Sequence, residues 1–151
     1  MSDRDIETPL TDDIVVRVAD WDLEKDQLSS VRRKVFIDEQ QVPEELEWDE
    51  FDDSSIHFIA TSKDAAIGTA RLKPDGQIGR MAVLEPYRNQ GTGSSLLTLA
   101  IDIATEKRYP KLYLHAQADA IPFYEKHGFI AEGEIFYEAD IPHCSMFKNL
   151  C

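Results

Sequence analysis

Seven consecutive residues, Arg88-Asn89-Gln90-Gly91-Thr92-Gly93-Ser94, carry the most concentrated chemistry in the chain. Directly after them, Leu96, Leu97, Ala100, Ile101, Ile103 and Ala104 recur at helical spacing. A helix that starts here leaves about four N–H groups unpaired and about half a positive charge at its first turn. Gly91 and Gly93 have no Cβ, so an anion can approach the main chain closely. Arg88 adds a guanidinium. Together these suit a phosphate or a pyrophosphate. Two phosphate-binding patterns are excluded. The Gly-Lys-Ser/Thr of a P-loop is absent, and a dinucleotide fingerprint needs a third glycine where Leu96 stands. For this segment taken alone, an ordinary glycine loop opening a helix remains the alternative.

The elements that must position the loop follow from periodicity. Ile14–Val18 reads as a strand. Asp20 to Leu23 holds a helix cap, and Leu28–Phe36 continues helically, with Leu28, Val31, Val35 and Ile37 on one face. An acidic segment follows, with no Lys or Arg between Val35 and Ser62. Trp48 and Phe51 interrupt it, which predicts a packed segment. Ile56–Thr61 and Ala66–Leu72 read as strands joined at Ser62-Lys63-Asp64, and Lys73-Pro74-Asp75-Gly76 is a turn leading to a third strand, Ile78–Val83. These should form an antiparallel meander. Next come the glycine loop, a helix over Ser94–Lys107 and a strand over Leu112–Ala116, a βαβ unit with parallel strands. A helix over Ile121–Lys126 stops at Gly128, and strands near Ile130–Tyr137 and Cys144–Asn149 close the chain. The expectation is an α/β domain over 14–151 with a mixed, mostly antiparallel sheet of six or seven strands, a central parallel pair and flanking helices. Residues 1–13 should be a polar, flexible tail.

Sixteen Lys and Arg stand against 29 Asp and Glu, a net charge of −13. That balance excludes a general nucleic-acid binder and docking on anionic lipid. No apolar run is long enough to span a bilayer, and the N-terminus lacks the order of a signal peptide. Cys144 and Cys151 form no disulfide framework, which fits reduced thiols in the cytoplasm. His57, His115, His127 and His143 show no metal-ligand spacing with them, so no metal is expected.

A second segment, Ala120-Ile121-Pro122-Phe123-Tyr124-Glu125-Lys126-His127-Gly128-Phe129, lies about thirty residues beyond the loop. Together the two resemble the GNAT family of N-acetyltransferases. Arg88, Gly91 and Gly93 match that family's Arg/Gln-x-x-Gly-x-Gly/Ala loop. Ala120, Phe123, Tyr124, Gly128 and Phe129 match its Ala-x-x-Phe-Tyr-x-x-x-Gly-Phe signature. Val31 to Gln40 and Asp140-Ile141-Pro142-His143 further resemble a small bacterial subgroup, the ElaA-like acetyltransferases. The resemblance implies acetyl-CoA as cosubstrate. The amides of Gln90, Gly91, Thr92, Gly93 and Ser94, flanked by Arg88 and Asn89, would hold its pyrophosphate. Met81, Ala82 and Val83 would pair with the pantetheine arm where two parallel strands part, and Phe123 and Tyr124 would border it. Many relatives carry Asn seven residues before the tyrosine; here Gln117 offers the same amide.

The implied reaction is acetyl transfer to a primary amine, on a small molecule or an exposed protein amine, by direct attack in a ternary complex. An amine of pKa about 10.4 is neutral in only about one molecule in 2,500 at pH 7, so a base is needed. The leaving thiol needs only weak acid help, which Tyr124 can give, as the matching tyrosine usually does in the family. Candidate bases are His115, His143 and Glu134, while Glu45 and Glu47 could draw in a cation. A non-catalytic module that senses acyl-CoA is the alternative. Dimers are frequent in the family, which leaves a homodimer open.

Overall fold

The molecule is two small sheets that touch at one end. The computed structural model describes residues 14–151, and the tail expected over 1–13 lies outside the described residues. The first sheet is an antiparallel meander of β1 (Ile14–Ala19), β2 (Ile56–Ser62), β3 (Ala65–Leu72) and β4 (Ile78–Val83). Lys63 and Asp64 join β2 to β3 with φ of 51° and 70°, the positive values a two-residue hairpin turn of the primed type demands. The second sheet is β5 (Lys111–Gln117), β7 (Ile141–Asn149) and β6 (Ile130–Glu138), in the order β5-β7-β6, all antiparallel.

Helices cover the first sheet. α1 (Trp21–Arg32) starts at Asp20, whose carboxylate accepts from the Leu23 N–H at 3.3 Å. It was expected to stay α-helical to Phe36, but from Arg33 to Glu39 the chain is π-helical. Gln40 N–H reaches the Val35 carbonyl at 3.0 Å, five residues back. Val31 and Val35 still pack on Ala82 of β4, while Ile37 is only partly buried. α3 (Thr92–Glu106) buries Leu96, Leu97, Ala100 and Ala104 in a separate cluster with Phe58, Ala60, Ile67 and Leu72. α2 (Glu44–Glu47) and α4 (Ile121–Lys126) are short.

The acidic segment is pinned from three sides. Arg32 of α1 donates to Glu47 at 2.8 Å and to Asp52 at 2.9 Å. Arg71 of β3 donates to Asp49 at 2.8 Å and Asp52 at 3.0 Å. Arg80 of β4 sits 3.1 Å from Glu47 and donates to that residue's carbonyl at 2.8 Å. Arg32, Arg71, Glu47 and Asp52 are buried. Burial pushes the Glu47 carboxyl up despite the three guanidinium groups, and burial lowers His57 beside Asp52. Three cations thus balance three anions, so Glu47 is a structural anion and not a lure for amines.

The expected parallel pair, β4 and β5, is almost unpaired. One parallel bridge, Gln77 to Tyr113, joins them, supported by Tyr113 N–H donating to the Gly76 carbonyl at 3.1 Å. Beyond it the strands separate, so the single mixed sheet is in fact two, splayed from this corner. Gly76 has φ of 97°, and a Cβ there would lie 2.7 Å from the Lys111 carbonyl oxygen. Gly76→Ala is therefore expected to destabilise by about 1–3 kcal/mol, through both strain and the clash at the corner. Chemical denaturation of both chains measures this, and equal midpoints would show that the corner gives way freely.

Candidate active site

Between the splayed β4 and β5 lies a cleft of about 580 Å³. Arg80 and Met81 line it from β4, Leu114, His115 and Gln117 from β5, and Tyr124 from α4. Arg80 has φ of 52°, and the β3–β4 register shifts between Thr69 and Arg71, so β4 bulges where it faces the cleft. Ala82 is buried toward α1. The Val83 carbonyl accepts from Arg88 Nε at 2.7 Å.

The glycine loop opens α3 as expected. Gly91 is the residue before the first turn, with φ of 85° and nothing within 4 Å of an added Cβ. Asn89 is also left-handed, with φ of 64°. Gln90 donates from its amide to the Pro86 carbonyl at 3.3 Å. Thr92 is buried, yet its hydroxyl oxygen has no hydrogen-bond partner. Ser94 Oγ lies 2.9 Å from His127 Nε2. Arg88 does not stand free over the loop. It forms a two-pronged pair with Glu39 at 2.8 and 2.7 Å, so its charge is already matched.

The loop and the cleft are joined through aromatic rings. A Cβ on Gly93 would meet the Phe123 ring at 3.7 Å, and Phe123 packs edge-on against Tyr124 at 5.1 Å between centroids. Tyr124 is buried, and desolvation holds its phenol proton up to about 12. Gln117 donates across the cleft to Gln40 at 2.8 Å.

His115 and His143 meet at the cleft, while Glu134 does not. His115 Nδ1 lies 2.9 Å from Glu138 Oε2. His143 lies on β7 and is buried, with Nδ1 at 2.7 Å from the Ile141 carbonyl. Glu134 is exposed and absent from the cleft wall. The β6–β7 register shifts between Glu132 and Phe136, with Gly133 at φ of 83°, and this bulge carries Glu134 outward. Glu138 takes the place expected of it. A signal for Glu138 existed: a tight turn at Ala139 and Asp140 sets Glu138 opposite Ile141 and Phe136 opposite His143. Glu45 is likewise absent from the cleft wall. Among the described residues no three His, Cys, Asp or Glu cluster as a metal site would need.

The family model for the acetyltransferase (GNAT) domain matches residues 21–150. The chain belongs to the GNAT family. A Bacillus subtilis GNAT relative, named uncharacterized N-acetyltransferase YjcF, is 35% identical over 79% of this chain and 88% of its own. An acyl-CoA N-acyltransferase from Pseudomonas aeruginosa matches with a TM-score of 0.79 and 31% identity, over 90% of this chain and 98% of that one. Escherichia coli ElaA matches with a TM-score of 0.80 and 27% identity, over 90% and 99%. This GNAT protein is an acyl-CoA-dependent acyltransferase of the ElaA-like kind, and its acyl group goes to an acceptor. No helix among its described residues is long and apolar enough to cross a membrane.

Proposed function

We propose that this GNAT protein transfers the acetyl group of acetyl-CoA to a primary amine by direct attack within a ternary complex. The observation that carries this reading is a buried phenol, Tyr124, in the wall of a cleft that leads through Phe123 to the α3 loop. The amides of residues 90–94, Thr92 among them, would hold the pyrophosphate. The edges of Met81 and Val83 would face the pantetheine arm, with the Gln117 amide at the far wall.

The amine gives a proton to a histidine of the cleft, His143 or His115. Its nitrogen then forms the C–N bond as the C–S bond breaks. Tyr124 gives its proton to the leaving thiolate, and the second proton of the attacking nitrogen returns to the phenolate, leaving a neutral amide, a free thiol and the tyrosine restored. A phenol held up to about 12 stays protonated at neutral pH, so it has a proton to give as negative charge builds on the sulfur. Free Cys144 and Cys151 support a cytoplasmic setting.

Coenzyme A is expected to raise the melting temperature, and free CoA thiol should appear above the acetyl-CoA hydrolysis rate when amines are added. Binding without thiol release would favour the sensing module instead. A melting temperature indifferent to coenzyme A would overturn the loop assignment.

A further inference from the structure

The acceptor end of the cleft is rich in hydrogen-bond acceptors and short of donors. His115 Nδ1 and Glu138 Oε2 are 2.9 Å apart, and a carboxylate only accepts, so Nδ1 carries a proton and, in the neutral ring, Nε2 keeps its lone pair. The same logic applies to His143. Its Nδ1 lies 2.7 Å from the Ile141 carbonyl, so Nδ1 donates there and Nε2 is the acceptor in the neutral ring. That Nε2 faces Glu138 Oε1 at 3.9 Å, too far for a hydrogen bond between them. A single donor nitrogen can reach both at about 2.9 Å each.

Charge points the same way. Among the described residues Glu138 pairs with the two histidines and with no Lys or Arg. Arg80 is the sole Lys or Arg in the described cleft wall, and Glu47 and Asp49 already occupy it at 3.1 and 3.3 Å. Among the described residues of the cleft wall no unpaired Lys or Arg is left to meet a carboxylate on the substrate. Apart from uncharged Gln40, Gln77 and Gln117, much of the remaining wall is apolar, with Phe36, Val42, Leu46 and Ile141 lining it, and Leu46 stays 56% exposed.

We propose that Glu138 binds the ammonium of the acceptor, with His143 Nε2 as its second partner, and that the acceptor is an amine with an apolar body and no carboxylate beside the nitrogen. This rests on the amine-acetyltransferase reading above and narrows its substrate class. Both histidines are positioned by partners that leave their Nε2 atoms free, so the subsite exists before any ligand enters.

A matched pair of acceptors tests it. Phenethylamine and phenylalanine differ only by the carboxylate. Steady-state thiol release should favour phenethylamine by at least about 10-fold in kcat/KM, the scale of one charge-assisted contact. Glu138→Gln, which keeps an oxygen for His115, should raise KM for phenethylamine by about 10–100-fold and leave KM for acetyl-CoA unchanged. An unchanged melting temperature would show that the variant folds. If phenylalanine is the better acceptor, or Glu138→Gln leaves the amine KM alone, the proposal is wrong while amine acetylation stands. If coenzyme A binds but no acceptor releases thiol, the acetyltransferase reading falls and takes this subsite with it.

Discussion

Tyr124→Phe should lower acetyl-transfer turnover by about 10²–10⁴-fold, the range for a positioned acid or base, with little change in coenzyme A affinity. The reasoning is geometric. The ring is fixed on two sides by Phe123 and Phe129, at 5.1 and 6.0 Å between centroids, and phenylalanine preserves both contacts. The hydroxyl makes no hydrogen bond to any described residue, so its removal leaves no buried partner stranded. Only the donor to the departing sulfur is lost. Because the phenol holds its proton to about 12, tyrosine ionisation cannot cause a fall in wild-type rate between neutral pH and about 10. The rate should rise across that range as the acceptor amine deprotonates. Stopped-flow acetylation on both chains gives the comparison, and equal turnover would remove Tyr124 from the mechanism.

Arg32→Leu should cost about 3–5 kcal/mol of stability, since it strands carboxylates that burial has removed from water. Arg32 is 1% exposed and joins Glu47 to Asp52, which Arg71 and Arg80 also share. Losing one guanidinium leaves two cations facing three anions in a poorly solvated region. For a chain of this size the melting temperature should fall by about 6–20 °C. Calorimetry measures it directly. A loss below about 1 kcal/mol would mean that water enters the cluster freely, as at exposed ion pairs.

The parts of the molecule that were legible in the sequence are those decided by near neighbours. The α3 apolar repeat, the Gly91 and Gly93 pair before it and the Phe123-Tyr124 helix all depend on spacings of a few residues. The partners of the acidic segment were not legible. Arg32, Arg71 and Arg80 lie between 15 and 33 residues from the groups they bind, and nothing local marks them. In the sequence Glu134 is a candidate base as a carboxylate on a closing strand, and Glu138, on the same strand, is not singled out. The β6–β7 register slips by two residues between Glu132 and Phe136, around Gly133, and such an irregularity has no signature in the apolar pattern. The parting of β4 from β5 leaves no trace in apolar patterning, which reports what is buried and not which strand bonds to which. The π-helical turn after Arg32 is silent for a similar reason, as Val31 and Val35 stay inward in either geometry.

The balanced interior cluster has a consequence for the outside. Its six charges cancel, so the surplus of −13 belongs entirely to the rest of the chain. Dissolved ions screen the mutual repulsion of that outer shell within about 10 Å at 0.1 M but barely reach pairs shut away from solvent. Raising ionic strength should therefore stabilise this protein, inverting what its abundance of opposite-charge contacts would suggest.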